Sequence, residues 1–206
     1  MKTETDTSGG QRENSNADAD AATPRVGDAT PRDEERLPEL ARHTVETFVR
    51  EGRVVETPSV ADDSLLGVRA ACFVSIKTHE GDLRGCIGTV EPTRPTLAEE
   101  LIHNAISAAT RDPRFLPVAA SELPHLRYSV DVLSQPEPTR FEDLNPKVYG
   151  LIVEDVRGRR GLLLPDLEGV ETAAQQLQIT ARKAGIASGA EEDVKLYRFK
   201  VRRYGE

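Results

Sequence analysis

The run Arg84-Gly85-Cys86-Ile87-Gly88 puts a guanidinium, a thiol and two residues without side chains into five positions. A cysteine does chemistry as its thiolate, and a neighbouring cation favours that form. Glycines inside a strand leave room for a substrate or another backbone to come close. The surrounding sequence, AACFVSIKTHEGDLRGCIGTV from residue 70, reads as two alternating runs about a turn at His79 to Asp82, the pattern of a β-hairpin. If Thr78 pairs with Leu83, then Lys77 faces Arg84, Ser75 faces Cys86 and Phe73 faces Gly88. Cross-strand partners share a face. One face is then apolar, with Cys72, Val74, Ile76, Leu83 and Ile87. The other carries Phe73, Ser75, Lys77, Arg84, Cys86 and an open surface at Gly88. Cys72 and Cys86 fall on opposite faces, which argues against a disulfide between them. Arg84 and Lys77 are expected to stabilise a Cys86 thiolate. A second reading stays open, in which Cys86 is a small hydrophobe under a covering helix and the glycines relieve crowding.

Asp112-Pro113-Arg114-Phe115 follows a helical segment directly. Asp112 and Arg114 are candidates to bind a ligand at the edge of a cleft. The alternative is a structural ion pair that holds the loop, one of the two residues pairing with Arg84 or Asp131. The candidate set is therefore Cys86 and Arg84 for catalysis, with Lys77, Gly85, Gly88, Asp112 and Arg114 for substrate binding. His43, His79, His103 and His125 are scattered without metal-ligand spacing, so no metal site is expected. His103 stands on the helix after the hairpin and is a candidate base for Cys86. There is no phosphate-binding loop, dinucleotide fingerprint or HExxH, and no cofactor is called for. VRGRRG (156–161) and YRFKVRRY (197–204) are locally basic, a pattern shared by nucleic-acid sites and ordinary solvated strands.

These residues need a frame. A helix is expected from about Pro38 to Glu51, ending at Gly52, and a second over PTLAEELIHNAISAATRD with Thr96 and Glu99 as a capping box. LRYSVDVLS (126–134) alternates as a half-buried strand, and YGLIVEDVRGRRGLLLP (149–165) reads as a second hairpin. VETAAQQLQITARKAG (170–185) is amphipathic, with Val170, Ala173, Ala174, Leu177, Ala181 and Ala184 inward. VKLYRFKVRRY (194–204) reads as one closing strand. Helices interleaved with hairpins indicate an α+β fold with a mainly antiparallel sheet.

Of the 206 residues, positions 1–36 hold nine acidic and five basic residues and only Met1 and Val26 as large apolar side chains. Such a segment cannot bury enough apolar surface to offset its ordering entropy. It is expected to be a disordered acidic tail preceding one domain over 37–206. The whole chain has a net charge of −8, of which the tail supplies half. The remainder makes no global case for a nucleic-acid surface. No apolar run approaches a membrane span, no secretory leader is visible, and two cysteines suit a reducing compartment. A soluble, cytoplasmic protein is expected.

LRGCIGTV, then DPRF, YGLIVEDVRGRRGLLLP and QQLQITARKAGI together resemble the AMMECR domain family, protein A of the AmmeMemoRadiSam gene neighbourhood, over roughly residues 37–203. The matched positions are Arg84 to Gly88, Asp112 to Phe115, Gly161, Leu163, Pro165 and Lys183 to Gly185. The resemblance implies an antiparallel sheet flanked by helices, a larger and a smaller lobe, and a site lined by the Arg-Gly-Cys-Ile-Gly run. It implies no settled reaction. Relatives that neighbour or fuse to a Memo-type protein and a radical SAM enzyme imply a component of a modification pathway with those partners. Relatives often carry a cysteine before Lys-Ala-Gly, where this chain has Thr180-Ala181-Arg182. The polar face of the hairpin together with this signature points to a thiolate nucleophile at Cys86, the alternative being a binding module for a peptide, a nucleic acid or a partner protein.

Overall fold

The computed structural model describes residues 31–59, 65–187 and 194–205. Among these described residues, two four-stranded antiparallel sheets and three α-helices make an α+β fold in two lobes. In the larger lobe β1 (Cys72–Thr78), β2 (Leu83–Gly88), β3 (Leu126–Leu133) and β8 (Val201–Tyr204) lie in the order β2-β1-β3-β8. Helices α1 (Pro31–Glu51) and α2 (Leu97–Thr110) cover one face of that sheet. Their apolar stripes, led by Leu37, Ala41, Val45, Leu97, Leu101 and Ala105, join Cys72, Val74, Ile76, Val130 and Val132 in the main core. The smaller lobe orders β4 (Glu137–Pro138), β7 (Lys195–Phe199), β5 (Gly150–Glu154) and β6 (Arg160–Leu163) as β4-β7-β5-β6, with α3 (Ala173–Lys183) packed on β5 and β6.

The expected single closing strand is two strands. β7 belongs to the small sheet and β8 to the large one, and the change falls at Lys200. The chain leaves the large sheet at Ser134, and these two crossings hold each other. Ser134 N–H donates to the Lys200 carbonyl and Lys200 N–H to Ser134 Oγ, both at 2.9 Å. Alternation of Tyr197, Phe199 and Val201 runs through the break, because Phe199 and Val201 share one inter-lobe core with Leu133 and Phe73.

The hairpin register holds for four pairs, Phe73 with Gly88, Val74 with Ile87, Ser75 with Cys86, and Ile76 with Gly85. It then shifts. Lys77 pairs with Leu83, so the expected Lys77–Arg84 and Thr78–Leu83 pairs do not form, and Arg84 is the extra residue of a bulge. The cause is a tighter turn. Thr78 N–H donates to the Asp82 carbonyl at 2.9 Å, leaving three loop residues, with Gly81 at φ 97°. The residue freed from the turn is taken up at Arg84. Leu83 consequently leaves the apolar face and is 38% exposed.

Both glycines are accounted for by packing within the chain. A Cβ on Gly85 would strike the backbone carbonyl of Ala108 in α2, so glycine is what lets the helix lie this close to β2. A Cβ on Gly88 would strike the Phe73 ring. The expected open surface at Gly88 is therefore covered.

Two helices also differ from expectation. Helix α1 starts at Pro31, so residues 31–36 of the expected tail are helical, while residues 1–30 lie outside the described residues. Pro38 reads as a start signal, yet it sits inside the helix, where the preceding turn is held by buried Leu37 and Asp33 and by Arg202 Nη2 on Glu34 Oε1 at 2.8 Å. In α3 the fully buried positions are Gln176, Thr180 and Ala181, and Ala174 is exposed. Gln176 Nε2 donates to the Tyr149 carbonyl at 2.8 Å, which is how an amide comes to face inward. Gly85→Ala is expected to destabilise the chain by about 1–3 kcal/mol through overpacking against α2. Urea unfolding measures this, and an unchanged midpoint would contradict the packing role.

Candidate functional site

Strand β2 is an edge of the large sheet. An edge strand leaves alternate peptide groups without a ladder partner. At Cys86 those groups are taken by side chains. Asp112 Oδ2 accepts from Cys86 N–H at 2.8 Å, and Arg114 Nη2 donates to the Cys86 carbonyl at 3.3 Å. The two side chains are joined to each other, Arg114 Nε to Asp112 Oδ1 at 2.9 Å and Nη2 to Oδ2 at 2.7 Å. Carboxylate and guanidinium together stand where a neighbouring strand would be. Asp112 follows the C-cap of α2, and its carbonyl accepts from Phe115 N–H at 3.1 Å, so a tight turn through Pro113 brings Arg114 back alongside it. The hydrogen bonds from Arg114 hold the Asp112 carboxyl well below the usual carboxylate range.

The Cys86 side chain points away from the helices. Ser75 Oγ donates to its sulfur at 3.3 Å from the paired position on β1. Cys86 is half-buried and free; Cys72 is also free but fully buried on the opposite face. Burial pushes the Cys72 thiol up to about 12. His103 belongs to α2 on the far side of the sheet, so this candidate base is not on the sulfur's face.

Arg84 does something other than expected. Its Nε and Nη2 bind the two oxygens of Glu122 at 2.6 and 3.0 Å, and Glu122 also accepts from Ala119 N–H at 2.7 Å. The Phe115 ring has the Arg84 guanidinium at 5.8 Å and that of Arg114 at 5.5 Å. Arg84 thus braces the loop 112–122 against β2. Lys77 lies one row nearer the turn, between Leu83 and Arg127 in the ladder. Of the seven expected site residues, the structure joins Cys86, Asp112 and Arg114 in direct contact. Arg84 enters through the Phe115 loop, and the glycines serve packing.

Sequence reasoning missed a second acid–base pair on the sulfur's face. Arg203 of β8 grips Asp131 of β3 side-on, Nε to Oδ1 and Nη2 to Oδ2, both at 2.7 Å. Asp131 and Arg203 stand on the same face of the sheet as Ser75 and Cys86, two and three strands across from β2. Ser75 and Ser129 are register partners, both buried on this face. The signal available in sequence was Asp131 on the polar side of a half-buried strand; its partner lies 72 residues away. Four arginines of the basic segments elsewhere are ion-paired. Arg159 binds Asp155, Arg160 binds Glu91 and Glu154, Arg198 binds Glu137, and Arg202 binds Glu34. Among the described residues no group of three or more His, Cys, Asp or Glu is placed to hold a metal, and no helix is long and apolar enough to cross a membrane.

Residues 38–204 match the family model described as AMMECR1. A protein of Thermotoga maritima is 51% identical over 166 residues, spanning 80% of this chain and 94% of its own. A protein of Clostridium acetobutylicum is 44% identical over 168 residues, 81% of this chain but only 35% of that longer one. The crystal structure of an uncharacterised protein from Pyrococcus horikoshii superposes with a TM-score of 0.75 at 32% identity, covering 85% of this chain and 92% of that one.

The clamp on Cys86 has a pH signature. A carboxyl depressed by folding contributes stability above its unfolded value, about 4, and loses it as pH falls further. Asp112→Asn is expected to be less stable by about 1–3 kcal/mol at pH 7, and the gap to wild type should narrow on acidification below about pH 4. Urea titrations from neutral to acid pH measure it. A gap that stays constant would contradict the ionised clamp.

Proposed function

The chain belongs to the AMMECR1 family, and on that footing we propose that it is a thiol-dependent component of a modification pathway, with Cys86 as nucleophile. The observation that carries the reading is the fixing of Cys86 on three sides. Its N–H is held by Asp112, its carbonyl by Arg114 and its sulfur by Ser75, while the side chain stays half-exposed. A strand that needed only a small hydrophobe would not require this. The step open to such a group is attack of the thiolate on an electrophilic carbon. The sulfur–carbon bond forms, the leaving group departs with the bonding pair, and the thiol proton goes to solvent. A cytoplasmic pathway shared with a Memo-like protein and a radical SAM enzyme is supported by the family resemblance alone. The domain is taken to span 37–206 together with the helical residues 31–36, with Asp112 and Arg114 positioning both the thiol and its substrate and Arg84 bracing their loop.

A binding module without bond chemistry is the second reading, favoured by one observation. Leu116, next to the Phe115 bracket, is 83% exposed. The two readings part on substitution. A nucleophile predicts that Cys86→Ala and Cys86→Ser both abolish pathway output in cells, seen as the metabolite profile of the gene deletion, at unchanged thermal stability. A docking surface predicts that Leu116→Ser does so and Cys86→Ala does not. In the folded protein iodoacetamide should modify Cys86 and spare Cys72, and in denaturant both should react. Equal protection of the two thiols in the folded state would overturn the nucleophile.

A further inference from the structure

The surface around Cys86 carries two ion pairs built the same way. In each, an aspartate is sunk into the protein and an arginine lies over it. The Asp112 and Asp131 side chains are 2% and 4% exposed, and those of Arg114 and Arg203 are 53% and 57% exposed. Both arginines bind side-on through Nε and Nη2. That geometry leaves the Nη1 edge of each guanidinium on the side away from its carboxylate. Each pair is close to neutral in sum, but the negative end is buried and the positive end faces solvent. What a ligand meets over the Cys86 face is therefore the outer edge of two guanidiniums.

The two arginines come from different parts of the chain. Arg114 is held at the free edge beside the Cys86 carbonyl, whereas Arg203 is held by Asp131 on the other side of β1. Between them lie Ser75, bonded to the sulfur, and Ser129. Nearby Arg84 is taken by Glu122 and braces the loop. Guanidiniums recognise planar or tetrahedral oxyanions through paired N–H groups. Locked in place by buried carboxylates, these two lose little rotamer freedom on binding.

We propose that Arg114 and Arg203 form a two-point oxyanion site on the sheet face that carries the Cys86 sulfur, so that the electrophile taken by the thiol carries a carboxylate or phosphoryl group. The assignment rests on Cys86 being the nucleophile and deepens that reading by naming the class of its substrate. Asp112 and Asp131 are positioning residues, acting through the arginines.

The test compares two alkylating reagents of nearly equal size, iodoacetate and iodoacetamide, on the full chain. With either, sulfur bonds to the methylene carbon, the carbon–iodine bond breaks, iodide leaves with the electron pair, and the thiol proton goes to buffer. The rate ratio of the anionic to the neutral reagent at Cys86, divided by the same ratio for glutathione, is expected to be about fivefold or more at low salt and to fall toward one as salt rises. Inorganic phosphate at matched ionic strength should slow iodoacetate more than iodoacetamide. Arg203→Gln keeps a donor for Asp131 and should bring the normalised ratio toward one while iodoacetamide still reacts. If that variant does not fold, the wild-type ratio and its phosphate competition decide alone. A wild-type ratio equal to that of glutathione, with Cys86 labelled normally by iodoacetamide, would overturn the oxyanion site and leave the nucleophile standing. Failure of both reagents to label Cys86 would overturn the nucleophile and the oxyanion site together.

Discussion

The edge of a sheet has peptide groups that need partners, and in this protein the edge at Cys86 is closed by one aspartate and one arginine. A buried or half-buried peptide group left without a hydrogen bond costs about 1–3 kcal/mol, so the pairing is worth enough to shape its surroundings. Asp112 and Arg114 reach Cys86 only because α2 ends at Thr110 and the chain turns at once through Pro113. The turn brings Phe115 against the guanidiniums of Arg84 and Arg114, and Glu122 closes the loop by taking Arg84. One clamp thereby ties the end of a helix, an edge strand and the eleven-residue loop 112–122 into a single unit. It also removes a site at which another strand could add.

Close approach of α2 is the other half of the constraint. Gly85 has no side chain because the Ala108 carbonyl occupies the space a Cβ would need. Helix α2 is fastened further along by Glu100, fully buried, which accepts from Thr89 Oγ1 at 2.6 Å and from the N–H groups of Thr93 and Arg94, both at 2.7 Å. The strand is thus held from below by a helix and from the side by a loop, with Cys86 half-buried on the opposite face. This separates the two cysteines chemically. Cys72 is packed among aliphatic residues under α2, where a thiolate is strongly disfavoured, while Cys86 stands on the polar face with a hydroxyl donor on its sulfur and Arg114 on its carbonyl.

Much of this was legible in the sequence where the information is local. Alternation around the turn placed Ser75 opposite Cys86 and sorted Cys72 from Cys86. Thr96 caps α2 through Glu99 N–H as its position suggested, and Gly185 ends α3 at φ 70°. What stayed hidden depends on partners distant in the chain or on backbone geometry that composition does not encode. The bulge at Arg84 follows from a three-residue turn, and one residue of slack moved both Leu83 and Arg84 to new environments. Lys200 carries no glycine or proline to mark a change of sheet, and only the Ser134 exchange reveals it. Gln176 and Thr180 are polar by type yet buried by the close seating of α3 on Gly161. The Asp131–Arg203 pair needed the register between β3 and β8, which no local pattern supplies.

The central claim is that Asp112 and Arg114 stand in for a missing strand at Cys86. Site-resolved amide hydrogen exchange of the Cys86 N–H, in wild type and in Asp112→Asn, tests it most directly. The account predicts slow exchange in wild type, comparable to interior amides of β1, and markedly faster exchange in the variant under conditions where both remain folded. Rapid wild-type exchange, at the rate of an open edge amide, would contradict it.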